Sequence, residues 1–554
     1  MTRQKGMGTV NTALWIMFSF WLLLSHQLGA KHFFPGTPDG LILDIMLANS
    51  NFEDDVIDLG GNTFAFENSN NNTDNNGLNG LPAIMPDGGH ELKIKNGTIT
   101  RSPTSITEFR FFYVQAGAFL VLDKVTLENG MVAVMSVGGG PLAVNGGSIL
   151  NLGTLELIDS TIIGNLPGVN SSNDAASGGG LYNNTGAVAT IKGTTFSACI
   201  ALQRGGAIFN LGSLEEIATT RFINNIARSD GGGIYNQTSG TITKITMSIF
   251  DRNTAGRGVN GNAGAVFNND GATINAISYT TFSFNQADIT GGALANYGFI
   301  STLLANTFSN NQAAIVGGGA VINSGEIGAI TNCTLSSNSV PADAGVGGGI
   351  LQFEPGTIGA LTNSTITLNS ARSKGGGIFN DGVILNFISA IVAKNTALSS
   401  PDIFEAPGGQ IGGQISFNLI GDGGDSNAGN VCGIFLPAND NIVGDCGAIV
   451  TVIDPLLESL ANNGGPTLTH ALRPLSPAID NGINPAPRVL KFDQRGPGHP
   501  RTINGATDIG AYETCEDFDL DGDCDDGQCL CDDGHHNSEE NNQGSMIGGE
   551  NDQI

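Results

Sequence analysis

One hexapeptide recurs through the middle of this chain at a spacing that leaves few architectures open. It reads GGGLYN (178–183), GGAIFN (205–210), GGGIYN (231–236), AGAVFN (263–268), GGALAN (291–296), GGAVIN (318–323), GGGILQ (347–352) and GGGIFN (375–380). A second element follows each copy, as in GSLEEI (212–217), GTITKI (240–245), GEIGAI (325–330) and GTIGAL (356–361). A third follows that, as in RFINNIA (221–227), TFSFNQA (281–287), TFSNNQA (307–313) and TITLNSA (365–371). Self-similarity at a fixed short period marks a repeat architecture. Helical repeats would need long amphipathic stretches, and none are present. Three short strands per repeat instead describe one turn of a stack. The expected fold is therefore all-β, a right-handed, three-sided parallel β-helix (a β-solenoid) with an N-terminal cap and a C-terminal module.

A single coil cannot bury its own apolar face, so stacking must supply the core. Leu181, Ile208, Ile234, Val266, Leu294, Val321, Ile350 and Ile378 should line up inward. The paired glycines call for a tight corner, with positive φ or close backbone approach. The terminal asparagines form a column: Asn183, Asn210, Asn236, Asn268, Asn296, Asn323 and Asn380, with Gln352 in the eighth place. A second column runs Asn165, Asn225, Asn253, Asn285, Asn311, Asn338, Asn369 and Asn395, interrupted by Cys199. Stacked amides bond along the axis and satisfy turn backbone groups, so both columns read as structural.

The pairing of GGAIFN with FINN, FSFN and FSNN resembles the GGA[IVL]/FxxN repeats of chlamydial polymorphic outer-membrane proteins, over about 160–397. That resemblance implies a β-helical body and a surface or adhesive role. Further on, NLIGDGG (418–424), DPLLESLANNGGPTLTHALRPLSPAIDNG (454–482) and DQRGPGHPRTINGATDIGAYE (493–513) are similar to the choice-of-anchor Q domain of secreted bacterial β-helix proteins. That domain follows β-helix repeats and precedes varied anchors. The chain departs from it in having no sortable hydrophobic tail afterwards.

The segments then divide as follows. Residues 1–30 read as a signal peptide, with basic Arg3 and Lys5, the apolar run ALWIMFSFWLLL (13–24) and small residues before Ala30. Residues 31–130 hold the N-terminal cap and first coils, with helical spacing in LILDIMLANSN (41–51). Repeats fill 131–425, the choice-of-anchor Q-like module 426–514, and an acidic Cys/Asp-rich tail 515–554. Export to the cell surface or beyond, with association to an outer envelope, is the expectation. Cys432 and Cys446 are close enough to bridge a local loop in an oxidising compartment.

A net charge of −28 makes nucleic acid an unsuitable partner. In the tail, Asp517, Asp519, Asp521, Asp523 and Asp525 alternate around a glycine, as an oxygen-liganded Ca2+ loop requires. The pattern resembles thrombospondin type 3 and dockerin loops, and it lacks the glutamate that closes an EF-hand. Ca2+ is the one cofactor the sequence suggests, against a plain solvated tail. For catalysis, all seven histidines lie outside the repeats. Asp230, Asp251 and Arg252 could share a polar patch, and His470, Asp480, Asp493 and Arg495 stand out in the module. No residue is assigned a catalytic role. The leading expectation is adhesion or carbohydrate contact at a polysaccharide or host surface. The alternative is a polysaccharide lyase or glycoside hydrolase, which needs paired carboxylates at fixed separation.

Overall fold

The computed structural model describes residues 30–514, apart from 72–76, 133–135, 138–139, 142–144, 165–176, 257, 259, 425–428, 430, 445–450 and 486–488. The chain is a parallel β-solenoid of about 13 turns. Its coil strands stack into columns of parallel pairs, each with its counterpart one turn away, with register shifts after Ala189 and Phe353. The first column carries the hexapeptide: Leu181–Asn183, Ile208–Asn210, Ile234–Asn236 and onward. Leu181 pairs with Ile208 and Asn183 with Asn210, so identical positions sit above one another. The second column includes Val188–Lys192, Ser213–Ala218, Thr241–Thr246 and Thr273–Ser278.

Sequence spacing gave one strand to the third element, whereas the structure splits it in two. A third column contains Thr195–Ser197, Arg221–Ile223, Ile249–Asp251, Thr281–Ser283 and Thr307–Ser309. A fourth holds two-residue strands such as Ile226–Ala227 and Gln286–Ala287, in a separate seven-stranded sheet. The break falls on a left-handed residue: Asn224, Arg252, Phe284 and Asn310 all have φ of 53–56°. The buried column asparagine follows it directly, at Asn225, Asn253, Asn285 and Asn311.

The two glycines of the hexapeptide have different jobs. Gly205 has φ +65°, a conformation that strains any side chain. Gly206 has ordinary φ, but a Cβ there would sit 2.0 Å from the carbonyl oxygen of Gly232 on the next coil. One position needs freedom and the other needs space.

Inward aliphatics from all three long columns form one continuous core from Phe33 to Phe435. Phe196, Phe222, Phe250, Phe282 and Phe308 stack within it, with centroids 4.4–5.3 Å apart and nearly parallel planes. At the N-terminal end, helix α1 (Pro38–Ala48) closes the stack with Leu41, Ile45 and Ala48. Thr37 caps it, its hydroxyl accepting from the Gly40 amide at 3.1 Å. At the other end Phe435 meets Phe387 edge-on at 5.0 Å. Coil pairing runs on to Ile442–Val443, against Leu419–Ile420. The chain then turns back, and Leu468, Phe492, Gln494 and Ala511 bond to the outside of the third column at Thr307, Asn332, Thr334 and Thr365.

Candidate functional site

The seven hexapeptide asparagines are all fully buried. From Asn183 to Asn323, each side-chain Nδ2 donates to the Oδ1 of the next coil at 2.7–2.9 Å. Asn151 adds a rung before them, and Asn323 donates to Gln352 Oε1 at 2.9 Å. The second column is bonded alike from Asn225 to Asn395, at 2.8–2.9 Å. Its expected first member, Asn165, lies outside the described residues. Cys199 meets the column through its backbone, its amide donating to Asn225 Oδ1 at 3.0 Å. These amides are spent on one another and on backbone carbonyls.

A third polar column was not visible in the sequence. It lies at the corner between the second and third strand columns: Ser160, Thr194, Thr220, Ser248, Thr280, Asn306, Cys333 and Ser364, all buried. Thr220 N donates to Ser248 Oγ at 3.2 Å, Thr280 N to Asn306 Oδ1 at 3.0 Å, and Cys333 N to Ser364 Oγ at 3.1 Å. Each member again follows a left-handed residue, such as Thr219, Met247 or Tyr279. Residue type changes from coil to coil, so no letter repeats.

Two outer flanks remain as surfaces. On the second column, Ser213, Thr241 and Thr273 align in one row and Thr246 and Ser278 in another, all exposed or half-buried. Ser278 Oγ donates to Thr246 Oγ1 at 3.1 Å. Glu216 sits between Lys192 (2.9 Å) and Lys244 (2.7 Å), and these two hold its carboxyl below the usual range. The result is a flat face of small hydroxyls with a short charged rung. On the first column, Tyr182, Phe209, Tyr235, Phe267 and Tyr297 stack at 4.8–5.3 Å. Arg204 lies over Tyr235 at 5.0 Å, and burial pushes that phenol up to about 12. Phe209, Tyr235 and Phe267 are buried, so these rings brace the coils more than they present a platform.

The suspected polar patch divides into separate pairings. Asp251 engages Arg252 and accepts from Ser283 Oγ at 2.8 Å. Asp230 accepts from Asn262 Nδ2 at 2.9 Å and faces Arg204 at 3.5 Å.

The module residues also serve separate contacts. His470 Nδ1 lies 2.7 Å from the Glu458 carbonyl, which can only accept, so Nδ1 carries the hydrogen and Nε2 accepts from Ser336 Oγ at 2.9 Å. Burial lowers its pKa, which keeps it neutral. Asp480 is held through its backbone amide, which donates to Asp508 Oδ1 at 2.9 Å. Asp493 and Arg495 are paired at 2.8 Å, and the guanidinium lies 3.9 Å from the Tyr512 ring centroid. Arg501 meets Glu513 at 3.4 Å. Burial lifts the Glu513 carboxyl to about 8 despite that pairing. Asp493, Arg495, Arg501, Tyr512 and Glu513 are at most 8% exposed and form the module's polar core, whereas Asp480 is exposed.

Among the described residues, no group of three or more His, Cys, Asp or Glu side chains is placed to hold a metal ion. The proposed Ca2+ ligands Asp517, Asp519, Asp521, Asp523 and Asp525 lie outside the described residues, as does Cys446. No protein-family model, no curated protein and no solved structure matches the chain.

Proposed function

We propose that the chain is an exported surface or extracellular protein, a right-handed, three-sided β-helix that contacts an extended polysaccharide along one flank without cleaving it. One observation carries this reading: Ser213, Thr241 and Thr273, with Thr246 and Ser278, align in rows on the uncovered face of the second column. Equivalent hydroxyls recur over three successive coils in the first row and two in the second, roughly 4.8 Å apart. An extended chain of repeating units could engage them in register, and solenoid faces suit such ligands. The signal-like segment 1–30 supports export, and the likeness to chlamydial surface repeats and to the choice-of-anchor Q domain supports an envelope location. In an oxidising compartment Cys432 and Cys446 would pair, and the acidic tail would take up Ca2+.

The purified chain should be incubated with pectin, alginate and a panel of neutral polysaccharides, with and without Ca2+. Retention on at least one polymer, with no new reducing ends and no unsaturated uronates, is the expected result. Product release would overturn the reading in favour of a lyase or hydrolase.

A further inference from the structure

Both asparagine columns point the same way. From Asn183 to Asn323, and from Asn225 to Asn369, each Nδ2 hands its hydrogen to the amide oxygen of the coil that follows, and only Gln352, whose Nε2 has no partner, breaks the first column before Asn380. A directional column has one donor left over at its C-terminal end, as a helix leaves unbonded groups at its termini. In a dry interior, an unmet N–H costs about 1–3 kcal/mol. The structure meets this need in the same manner twice.

In the second column, Asn369 gives both its backbone N–H and its Nδ2 to Asn395 Oδ1, each at 2.9 Å. Asn395 then gives both of the same groups to Asp402 Oδ1, at 3.0 and 2.8 Å. Asp402 lies only seven residues further on, before the strand Ile403–Glu405. It reaches into the place that the next coil's asparagine would occupy. Its second oxygen accepts from the Asp422 amide at 2.7 Å. In the first column, Asn380 Nδ2 donates to Glu405 Oε2 at 2.9 Å, and the Glu405 carboxyl also accepts from the Ile411 amide. A short pair in the third column, Asn418 to Asn441, ends instead on the carbonyls of Ile415 and Leu436.

We propose that Asp402 and Glu405 are stop residues, which end the two amide columns because a carboxylate accepts on both oxygens and hands no N–H onward. An amide in either place would accept the column's last hydrogen. At 402 it would then turn its own NH2 against the Asp422 backbone N–H, and at 405 it would add an NH2 with no further rung to receive it. The two residues thus fix where the two amide columns end, while the third strand column runs on to Ile442–Val443.

The test is hydrogen exchange on the full chain and on Asp402→Asn and Glu405→Gln, both nearly isosteric. The stop reading expects amides between 378 and 422 to exchange at least tenfold faster in each variant, with those between 208 and 340 unchanged. Exchange in the last coils equal to wild type would overturn it. If Asp402→Asn does not accumulate, Glu405→Gln, whose side chain is only half-buried, decides alone by the same two outcomes. Asn285→Asp serves as the reverse control. It puts an acceptor in mid-column against Phe250 O and Asn311 Oδ1, and should speed exchange around 250–313 instead.

Discussion

Thr334 Oγ1 donates to Gln494 Oε1 at 2.6 Å, joining positions 160 residues apart. Gln494 Nε2 in turn donates to Thr307 Oγ1 at 2.9 Å and to Thr467 Oγ1 at 3.1 Å. One buried amide therefore reads two successive coils of the third column. Thr307, Thr334, Ser336 and Thr365 are buried there, while Thr195, Ser197, Thr281 and Ser283 at equivalent positions are half-exposed. The C-terminal module thus fastens to the hydroxyls of the repeat itself.

Removing one fastening should loosen the module. Thr334→Val keeps the shape and strands a buried Gln494 oxygen, at a cost of about 1–3 kcal/mol. Chemical denaturation should show a lower midpoint, and limited proteolysis should cut earlier within 454–514. Wild-type behaviour in both would mean that the contact is dispensable.

The two glycines of a corner should respond differently from an alanine already there. Gly206→Ala drives a Cβ to 2.0 Å from Gly232 O, so backbone must move. A loss of roughly 3 kcal/mol or more is expected. Ala263 occupies the left-handed position with φ 58°, where other coils have glycine. Ala263→Gly should therefore raise stability by about 0.5–1 kcal/mol. Thermal unfolding of the two variants should move in opposite directions.

Gln352 interrupts the first column. Asn323 reaches its Oε1, but its buried Nε2 has no partner. The longer side chain does not meet Asn380 in the way an asparagine rung does. Gln352→Asn should restore the missing bond and stabilise by about 1 kcal/mol. Unchanged or lowered stability in denaturant would show that the strand irregularity after Phe353, not side-chain length, sets the break.

The thiols should divide by location. Cys199 and Cys333 are fully buried, and burial lifts Cys333 to about 11. Neither should react with iodoacetamide in the native state, and both should react after unfolding. In exported material Cys432 should be recovered by peptide mass spectrometry linked to Cys446. Native labelling of Cys333 would contradict the packed core.

A buried acid in the module gives stability a pH dependence of definite sign. Burial lifts Glu513 to about 8. A carboxyl with a raised folded-state pKa binds its proton more tightly when folded. Stability contributed this way is fully present below the unfolded value and is lost as pH rises from there through the folded value. The melting temperature should fall from about pH 5 to about pH 8, and Glu513→Gln should flatten that slope. A melting temperature that climbs over this range would contradict the buried-acid account.

Much of the fold was legible because the solenoid repeats its chemistry in the same letters. Asn183 and Asn210 announce their column, and Ile208 and Ile234 announce theirs. The third polar column was hidden because a hydroxyl, an amide or a thiol can each accept the same backbone hydrogen, as Ser248, Asn306 and Cys333 illustrate. The fourth strand column was hidden because its break depends on backbone φ at Phe284 or Arg252, residues with no turn signature. The hydroxyl flank was masked for a different reason. Ser213, Thr241 and Thr273 read as ordinary strand formers until register places them on one face. His470 and Asp493 were conspicuous as letters, and only their partners show that they hold the module together.

The most direct measurement is polysaccharide binding by the wild-type chain and by a Thr241→Glu, Thr273→Glu double variant, on a glycan array and by sedimentation. Both substituted side chains lie on the flank and outside the core, so folding should persist by circular dichroism. The account predicts that wild type binds at least one extended polymer and that the double variant binds it at least tenfold more weakly. Equal binding by both chains, or cleavage of the bound polymer, would contradict it.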